Sequence, residues 1–200
     1  MKKTMTAVLA MMLIMAMTVA GTYAYLTSTD SVTNTFTVGK VAITLDEAKT
    51  DAYGVADTTV ARVKANEYKL IPGREYDKDP IVHVAVGSEA CYVFVKIENG
   101  IAAIEDTTKP IADQIETNGW TALAGETGVY YKEQDAIPEN GNAVPLPVFE
   151  SFTIKADADV STYGDAKLII TAYAIQKDGI INAAAAWAAL NPTPATPAQP

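Results

Sequence analysis

Ile81-Val-His-Val-Ala-Val-Gly-Ser-Glu-Ala-Cys-Tyr-Val-Phe-Val-Lys-Ile97 is the stretch that decides the fold of this chain. It contains two runs of β-branched and aromatic residues on either side of a Gly87-Ser88 turn, which is the pattern of consecutive strands. Similar runs recur between turn signals and predict strands at residues 41–45, 67–71, 80–86, 92–98, 128–132, 148–156 and 166–176. Many short strands without a long internal repeat predict an all-β sandwich of two sheets.

Two segments interrupt the strand pattern and predict short helical decorations. Residues 101–120 carry isolated isoleucines among charged residues, which indicates a short helix or a long loop at one end of the sandwich. Asn182 is placed to cap a helix at residues 183–190. A helix this short is marginal alone, so we expect Trp187 and Leu190 to dock it onto the domain.

The chain divides into four segments. Residues 1–24 have the pattern of a signal peptide, with Lys2 and Lys3 before an apolar run and small residues, Thr22 and Ala24, before a predicted cleavage at Tyr25. Residues 25–39 form an N-terminal arm, residues 40–191 the sandwich, and residues 192–200 a Pro-rich tail that we expect to be disordered. The apolar run is short for a membrane anchor, so we predict a secreted protein whose only membrane contact precedes cleavage.

Composition disfavours two classes of partner and excludes one source of stability. The formal net charge is −9 and no cluster of Lys and Arg is present, which disfavours binding to nucleic acid and to anionic lipid. With one cysteine, Cys91, the chain has no internal disulfide. Cys91 lies in a predicted strand and is expected to be a small buried hydrophobic residue.

The residue inventory also argues against catalysis. His83 is the only histidine, no zinc-binding motif or nucleophile elbow is present, and no glycine-rich phosphate loop occurs. His83 is expected to be an exposed or hydrogen-bonded strand residue. Asp157, Asp159 and Asp165 either bind a hard cation or are solvated loop acids, and the spacing favours the second reading because it lacks the pattern of a calcium-binding loop. We therefore predict no enzymatic activity, no cofactor and no metal site.

The arm has the alternation of a β-strand. Val32, Asn34, Phe36 and Val38 share one face, and the other face is hydroxylic. Such a strand suits addition to a sheet edge, either in its own domain as the first strand or in a neighbouring copy as a donated strand. The pattern alone favours the first alternative, because edge strands commonly pair within their own domain.

Three stretches resemble a known family. Ala20-Gly-Thr-Tyr-Ala-Tyr-Leu-Thr-Ser-Thr-Asp30 with Val32-Thr-Asn-Thr-Phe-Thr-Val-Gly39 resembles the processing region of the TasA and camelysin family, exported proteins cut by the specialised SipW-type signal peptidase of Gram-positive biofilm operons. Tyr68-Lys-Leu-Ile-Pro-Gly-Arg-Glu-Tyr-Asp-Lys-Asp-Pro80 is similar to the family's turn before a core strand. Ile170-Thr-Ala-Tyr-Ala-Ile-Gln-Lys-Asp-Gly179 is similar to its closing strand.

The resemblance implies a jelly-roll sandwich in the extracellular matrix or at the cell surface, polymerising head to tail by donation of residues 25–38 to the next copy. It thereby favours intermolecular pairing of the arm, with the chain itself, and possible matrix or anchor proteins, as partners. The alternatives are a monomeric cell-surface adhesin or binding module and, less favoured, a camelysin-type surface metallopeptidase. Camelysin-like members are also described as metallopeptidases, and that activity is not carried over because the zinc-ligand pattern is missing.

Overall fold

The computed structural model describes residues 39–191, and this part of the chain has the predicted all-β, sandwich-like fold with two short helices. The strands are β1 (Ile43–Asp46), β2 (Lys49–Thr50), β3 (Ala56–Asp57), β4 (Glu75–Asp77), β5 (Ile81–Val84), β6 (Cys91–Asn99), β7 (Thr121–Ala122), β8 (Val129–Gln134), β9 (Val144–Pro147), β10 (Ser151–Thr153) and β11 (Leu168–Gln176). The helices are α1 (Ile111–Thr117) and α2 (Ala183–Leu190). Neither described helix has the length and hydropathy needed to cross a membrane.

Two antiparallel sheets form the layers of the sandwich. One has the strand order β1-β5-β9 and the other the order β11-β6-β8-β7. Two-stranded ladders, β10-β4 and β2-β3, complete the described strands. β6 is the centre of the larger sheet, and all nine of its residues pair with β11, from Leu168 opposite Asn99 to Gln176 opposite Cys91.

The main core lies between the two layers. Alternate side chains of β6, Cys91, Val93 and Val95, are fully buried there against Val82 and Val84 of β5. Tyr92 and Phe94 point to the other face of β6, where they pack under α2. The period-2 alternation of β6 therefore supplies both the sandwich core and a smaller second core.

Both predicted helical decorations are present. Asn182 caps α2 through its side-chain oxygen, which accepts from the Ala185 N–H at 2.9 Å. Trp187 packs against Phe94 with ring centroids 5.3 Å apart, so it docks the helix as expected, and Leu190 packs at the margin of the same cluster. The segment at 101–120 is mostly loop with α1 at its end.

The predicted strand at residues 67–71 is wrong. Its backbone forms no ladder: the Lys69 N–H donates to the Ala52 carbonyl at 2.7 Å, and the Tyr76 hydroxyl accepts from the Ile71 N–H at 2.6 Å and donates to the Lys69 carbonyl at 2.7 Å. A strand-like composition was therefore insufficient where no neighbouring strand offers hydrogen bonds.

The prediction of one strand at residues 148–156 is also wrong. The chain forms β9 before this range and β10 inside it, because its pairing partner changes from β5 to β4. The Val148 N–H donates to the Pro80 carbonyl, and the Lys78 N–H donates to the Glu150 carbonyl, between the two ladders.

Candidate strand-docking edge

The edges of the two sheets differ in how well they are protected against another strand. β9 carries Pro145 and Pro147, which lack the N–H groups that a new strand would need. β7 has only two residues. β11 is an edge strand of nine residues without proline, and within residues 39–191 it pairs on one side only. Long unprotected edges of this kind are templates for strand addition.

The hydrogen bonds that flank β11 show which of its backbone groups face outward. The Lys177 N–H donates to the Ala90 carbonyl at 2.7 Å, and the Gly100 N–H donates to the Lys167 carbonyl at 2.8 Å, both in register with the β11-β6 ladder. Because pairing alternates along an antiparallel ladder, the odd-numbered residues of β11 bond to β6. The even-numbered residues, Leu168 to Gln176, direct their N–H and C=O groups to the outer edge.

β1 presents its own outer edge beside β11. The Ala85 N–H donates to the Ala42 carbonyl at 2.9 Å, so the even-numbered residues of this segment bond to β5. The backbone groups of Val41, Ile43 and Leu45 therefore face away from β5. No ladder joins β1 to β11 among the described residues. We call this space, bordered by residues 41–45 and 168–176, the β1–β11 seam.

The side chains along the seam belong to the core but are incompletely covered. Leu168, Ile170, Ala172 and Ala174 pack against the main core, and no residue of β11 is fully buried. Their neighbours on β6, Val93 and Val95, are 0% exposed. Apolar side chains would be removed from water by a further strand, at roughly 25 cal/mol per Å² of apolar area.

A groove continues the seam beyond the Leu168 end of β11. Its outer part has a volume of about 570 Å³ between residues 65–70 and 163–169, with Phe152 and Ile101 among its lining residues. Its inner part, of about 260 Å³, reaches Leu45 and Ile170. Lys78 borders both parts, so it lies where they join.

A polar cluster lies at this junction and consists of the buried Glu47 and Lys78 and the half-buried Asn66. Lys78 and Glu47 form an ion pair and are 7% and 5% exposed. The Asn66 amide donates to Glu47 Oε1 at 3.0 Å and accepts from the Thr50 N–H at 2.9 Å. Buried charges are tolerated only when they are paired and hydrogen-bonded, which this arrangement achieves in part.

Ion pairs fix the segment that carries Asn66 against β1. Arg62 bonds Asp46 Oδ1 at 2.5 Å and Asp79 Oδ2 at 2.8 Å, and the Val63 N–H donates to the Glu47 carbonyl at 2.7 Å. On the groove wall, burial raises the pKa of Tyr68 to about 12. Tyr68 therefore stays neutral at physiological pH and offers the groove an aromatic face.

The described chain begins at the opposite end of the seam from the groove. A Cβ on Gly39 would lie 3.1 Å from Glu89 Cγ and 3.5 Å from Gln176 Oε1, which places Gly39 at the last residue of β11. The Glu89 N–H donates to the Lys40 carbonyl at 2.9 Å and holds this entry point. Gly39, the first described residue, therefore lies at the Gln176 end of the seam.

Two other residues singled out by the sequence lie as expected. Cys91 is fully buried, and burial raises the pKa of its thiol to about 11, so it acts as a core residue. His83 Nε2 lies 3.2 Å from Asp46 Oδ1 in the middle of β5. Among residues 39–191 no three His, Cys, Asp or Glu side chains are grouped to hold a metal ion, and Asp157, Asp159 and Asp165 form no such group.

The predicted cleavage residues, Thr22, Ala24 and Tyr25, lie outside the described residues, as do the predicted donor residues, Val32, Asn34, Phe36 and Val38. The sequence did not identify the polar cluster. Lys78 lies in Asp77-Lys78-Asp79, which has the composition of a solvated turn, and no local signal marks it as buried.

Within residues 39–191, the fold and the seam define an all-β, sandwich-like protein with one long edge that lacks a ladder partner. No protein-family model matches the chain, and no curated protein or solved structure is significantly similar to it.

Proposed function

We propose that this protein is a secreted structural subunit of an extracellular fibre, in the biofilm matrix or at the cell surface. Residues 25–38 of one copy insert into the β1–β11 seam of the next. The observation that carries the proposal is the edge of β11: its inward side chains are incompletely covered, and its outward backbone groups have no ladder partner among the described residues.

The arm has the chemistry that the seam requires. An inserted strand supplies main-chain hydrogen bonds to the outward groups of β11 and buries alternate side chains in the core. The arm alternates in this way, and its Phe36 and Val38 are apolar on the face that also carries Val32. Fourteen extended residues span about 46 Å, which exceeds the roughly 30 Å of a nine-residue strand.

The geometry of the entry point favours a head-to-tail arrangement. The arm starts at Gly39, by the Gln176 end of β11, and the groove lies at the Leu168 end. When two copies stack along the seam, the arm of one reaches the groove of the next. A contact between different surfaces of identical copies does not close on itself unless the rotation between them forms a ring, so it propagates into a filament.

The test compares residues 25–200 with a chain that starts at Gly39 and with an edge variant, Ala172→Pro. Residue 172 directs its N–H outward, so proline removes a docking hydrogen bond while the β6 ladder keeps its own. Ala172→Gly is the matched control because it keeps the N–H. Electron microscopy and sedimentation should show filaments for residues 25–200 and for Ala172→Gly, and monomers for the other two chains.

Two outcomes would contradict the proposal. Filaments formed equally well by the chain starting at Gly39 would show that the arm is not the connecting strand. The second outcome is that residues 25–200 stay monomeric at every concentration and that the chain starting at Gly39 is less stable than this chain. It would show that the arm fills its own seam. The second outcome would favour the monomeric surface adhesin.

A further inference from the structure

The Lys78 ammonium at the groove junction has spare hydrogen-bonding capacity. Its side chain is 8% exposed, and its hydrogen bond within residues 39–191 goes to Glu47. The Tyr68 ring lies near it, with the ring centroid 5.9 Å from Nζ. An ammonium group has three donors, so two N–H groups have no acceptor among the described residues. Buried ion pairs are stable only when such remaining donors are also satisfied.

The arm carries a polar side chain, Asn34, that would need a hydrogen-bond partner once it is buried in the groove. Within residues 32–38, Asn34 is the one polar residue on the face that also carries Val32, Phe36 and Val38, and Asp30 and Ser28 continue this face toward the N-terminus. If this face enters the core, the Asn34 carboxamide is buried, and an unsatisfied buried amide costs about 1–3 kcal/mol. The carboxamide oxygen accepts hydrogen bonds, and an acceptor is what the remaining N–H groups of Lys78 lack among the described residues.

The order of residues along the arm matches the order of surfaces along the groove. An arm that enters at the Leu168 end passes Val38 and Phe36 over the outer groove, where Phe152 and Ile101 are lining residues. Successive residues of one face are about 6.8 Å apart, so Asn34 follows at the junction with Lys78. Val32 then reaches the inner groove beside Leu45 and Ile170.

We propose, on the basis of the proposed function, that the Asn34 oxygen of the donated strand accepts a hydrogen bond from Lys78 of the next copy and thereby sets the register of insertion. A slip of one residue turns the apolar face outward. A slip of two residues places Asn34 on apolar lining and leaves Lys78 without its acceptor. Lys78 and Asn34 are therefore specificity-determining residues, much as one buried Asn sets the register of a coiled coil.

The experiment is a double-mutant cycle on the critical concentration for filament formation by residues 25–200. Asn34→Leu is nearly isosteric and removes the acceptor, so it should raise the critical concentration about tenfold, the equivalent of about 1.4 kcal/mol. In the Glu47→Gln/Lys78→Met background, which has no buried charge, the same substitution should have little effect or lower the critical concentration. Asn34→Gln, which keeps the carboxamide, should recover part of the loss in the unaltered groove.

Thr35→Leu is the matched control, because Thr35 lies on the opposite face and should show the same effect in both backgrounds. An Asn34→Leu penalty that is equal in both backgrounds, or an Asn34→Gln variant as defective as Asn34→Leu, would overturn the register contact. If filaments then still require the arm and are still blocked by Ala172→Pro, the proposed function stands without it. If residues 25–200 form no filaments, the proposed function itself fails.

Discussion

At the scale of single residues, Glu105 is a buried carboxylate that stabilises the loop before α1. Its side chain accepts from the Asn99 amide and from the Ile111 N–H, each at 2.6 Å, and residue 105 is 8% exposed. Pro110 provides no side-chain cap for α1, so Glu105 satisfies the first helical N–H instead. We expect Glu105→Ala to lower the free energy of unfolding by about 3 kcal/mol, since two charge-assisted hydrogen bonds are lost.

Urea denaturation measures this effect. The exposed Glu126→Ala is the control and should change the free energy of unfolding by less than about 0.5 kcal/mol. A Glu105→Ala chain as stable as the control would show that water or a rearranged loop replaces the carboxylate.

Asp46 gives the stability of the domain a specific dependence on pH. Burial opposes its ionisation, but hydrogen bonds from Arg62 and His83, with their charges, outweigh burial and hold the pKa of Asp46 below its ordinary value of 3.8. A carboxyl group with a lowered pKa stabilises the folded state above its ordinary pKa, and this contribution is lost as the pH falls through the folded-state pKa. Asp46→Asn should therefore destabilise the domain at pH 7, with a deficit that shrinks below about pH 4.

Unfolding free energies measured between pH 7 and pH 2.5 test this expectation. Asp178→Asn, at an exposed position, is the comparison and should follow the parent chain at every pH. A deficit for Asp46→Asn that stays constant across this range would mean that the stabilisation comes from packing and not from the charge.

Some residue environments were predictable from the sequence because they depend on local alternation. Cys91 lies within an uninterrupted strand pattern, and its burial follows from that pattern. The burial of Lys78 was not predictable, because it depends on the ion pair with Glu47, which lies 31 positions earlier in the chain. A pairing between distant segments leaves no trace in the spacing of residues around either partner.

At the scale of elements, α2 depends on one cap and one anchor. The helix has eight residues and no charged side chain, so it lacks both surface ion pairs and interactions of charges with the helix dipole. Asn182 accepts from the Ala185 N–H, and replacing such a cap by Ala costs about 1 kcal/mol.

We expect Asn182→Ala to increase amide hydrogen exchange in α2, with global stability lowered by no more than about 1 kcal/mol. Asn182→Asp keeps the acceptor and should behave like the parent chain. Equal exchange in Asn182→Ala would indicate that docking of Trp187 alone holds the helix.

Sequence patterns identified the central strands better than the edges. The run at residues 92–98 gave β6 almost to its ends, because it is long, apolar and flanked by turn signals. The wrong strand at residues 67–71 and the divided one at 148–156 lie where hydrogen-bond partners change. The seam itself was not predictable, since an edge is defined by the order of strands in space and not by any strand alone.

At the scale of the whole molecule, the separation of the arm's starting point from the groove has a measurable consequence. In the proposed assembly, a chain that starts at Gly39 keeps the seam but has no arm, so it should accept a strand and donate none. A chain of residues 25–200 with Ala172→Pro keeps the arm but has a blocked edge, so it should donate a strand and not accept one. The two defects should therefore stop growth at opposite ends of a filament.

Mixing these two defective chains is therefore the most discriminating test of a head-to-tail assembly. Neither chain should form filaments alone, and together they should form a 1:1 dimer that cannot grow, because its one intact seam is filled and its one intact arm is used. Analytical ultracentrifugation of the mixture distinguishes this dimer from two monomers. Two unmixed monomers would mean that the arm docks elsewhere or in its own domain, whereas filaments from the mixture would mean that a second surface connects the subunits.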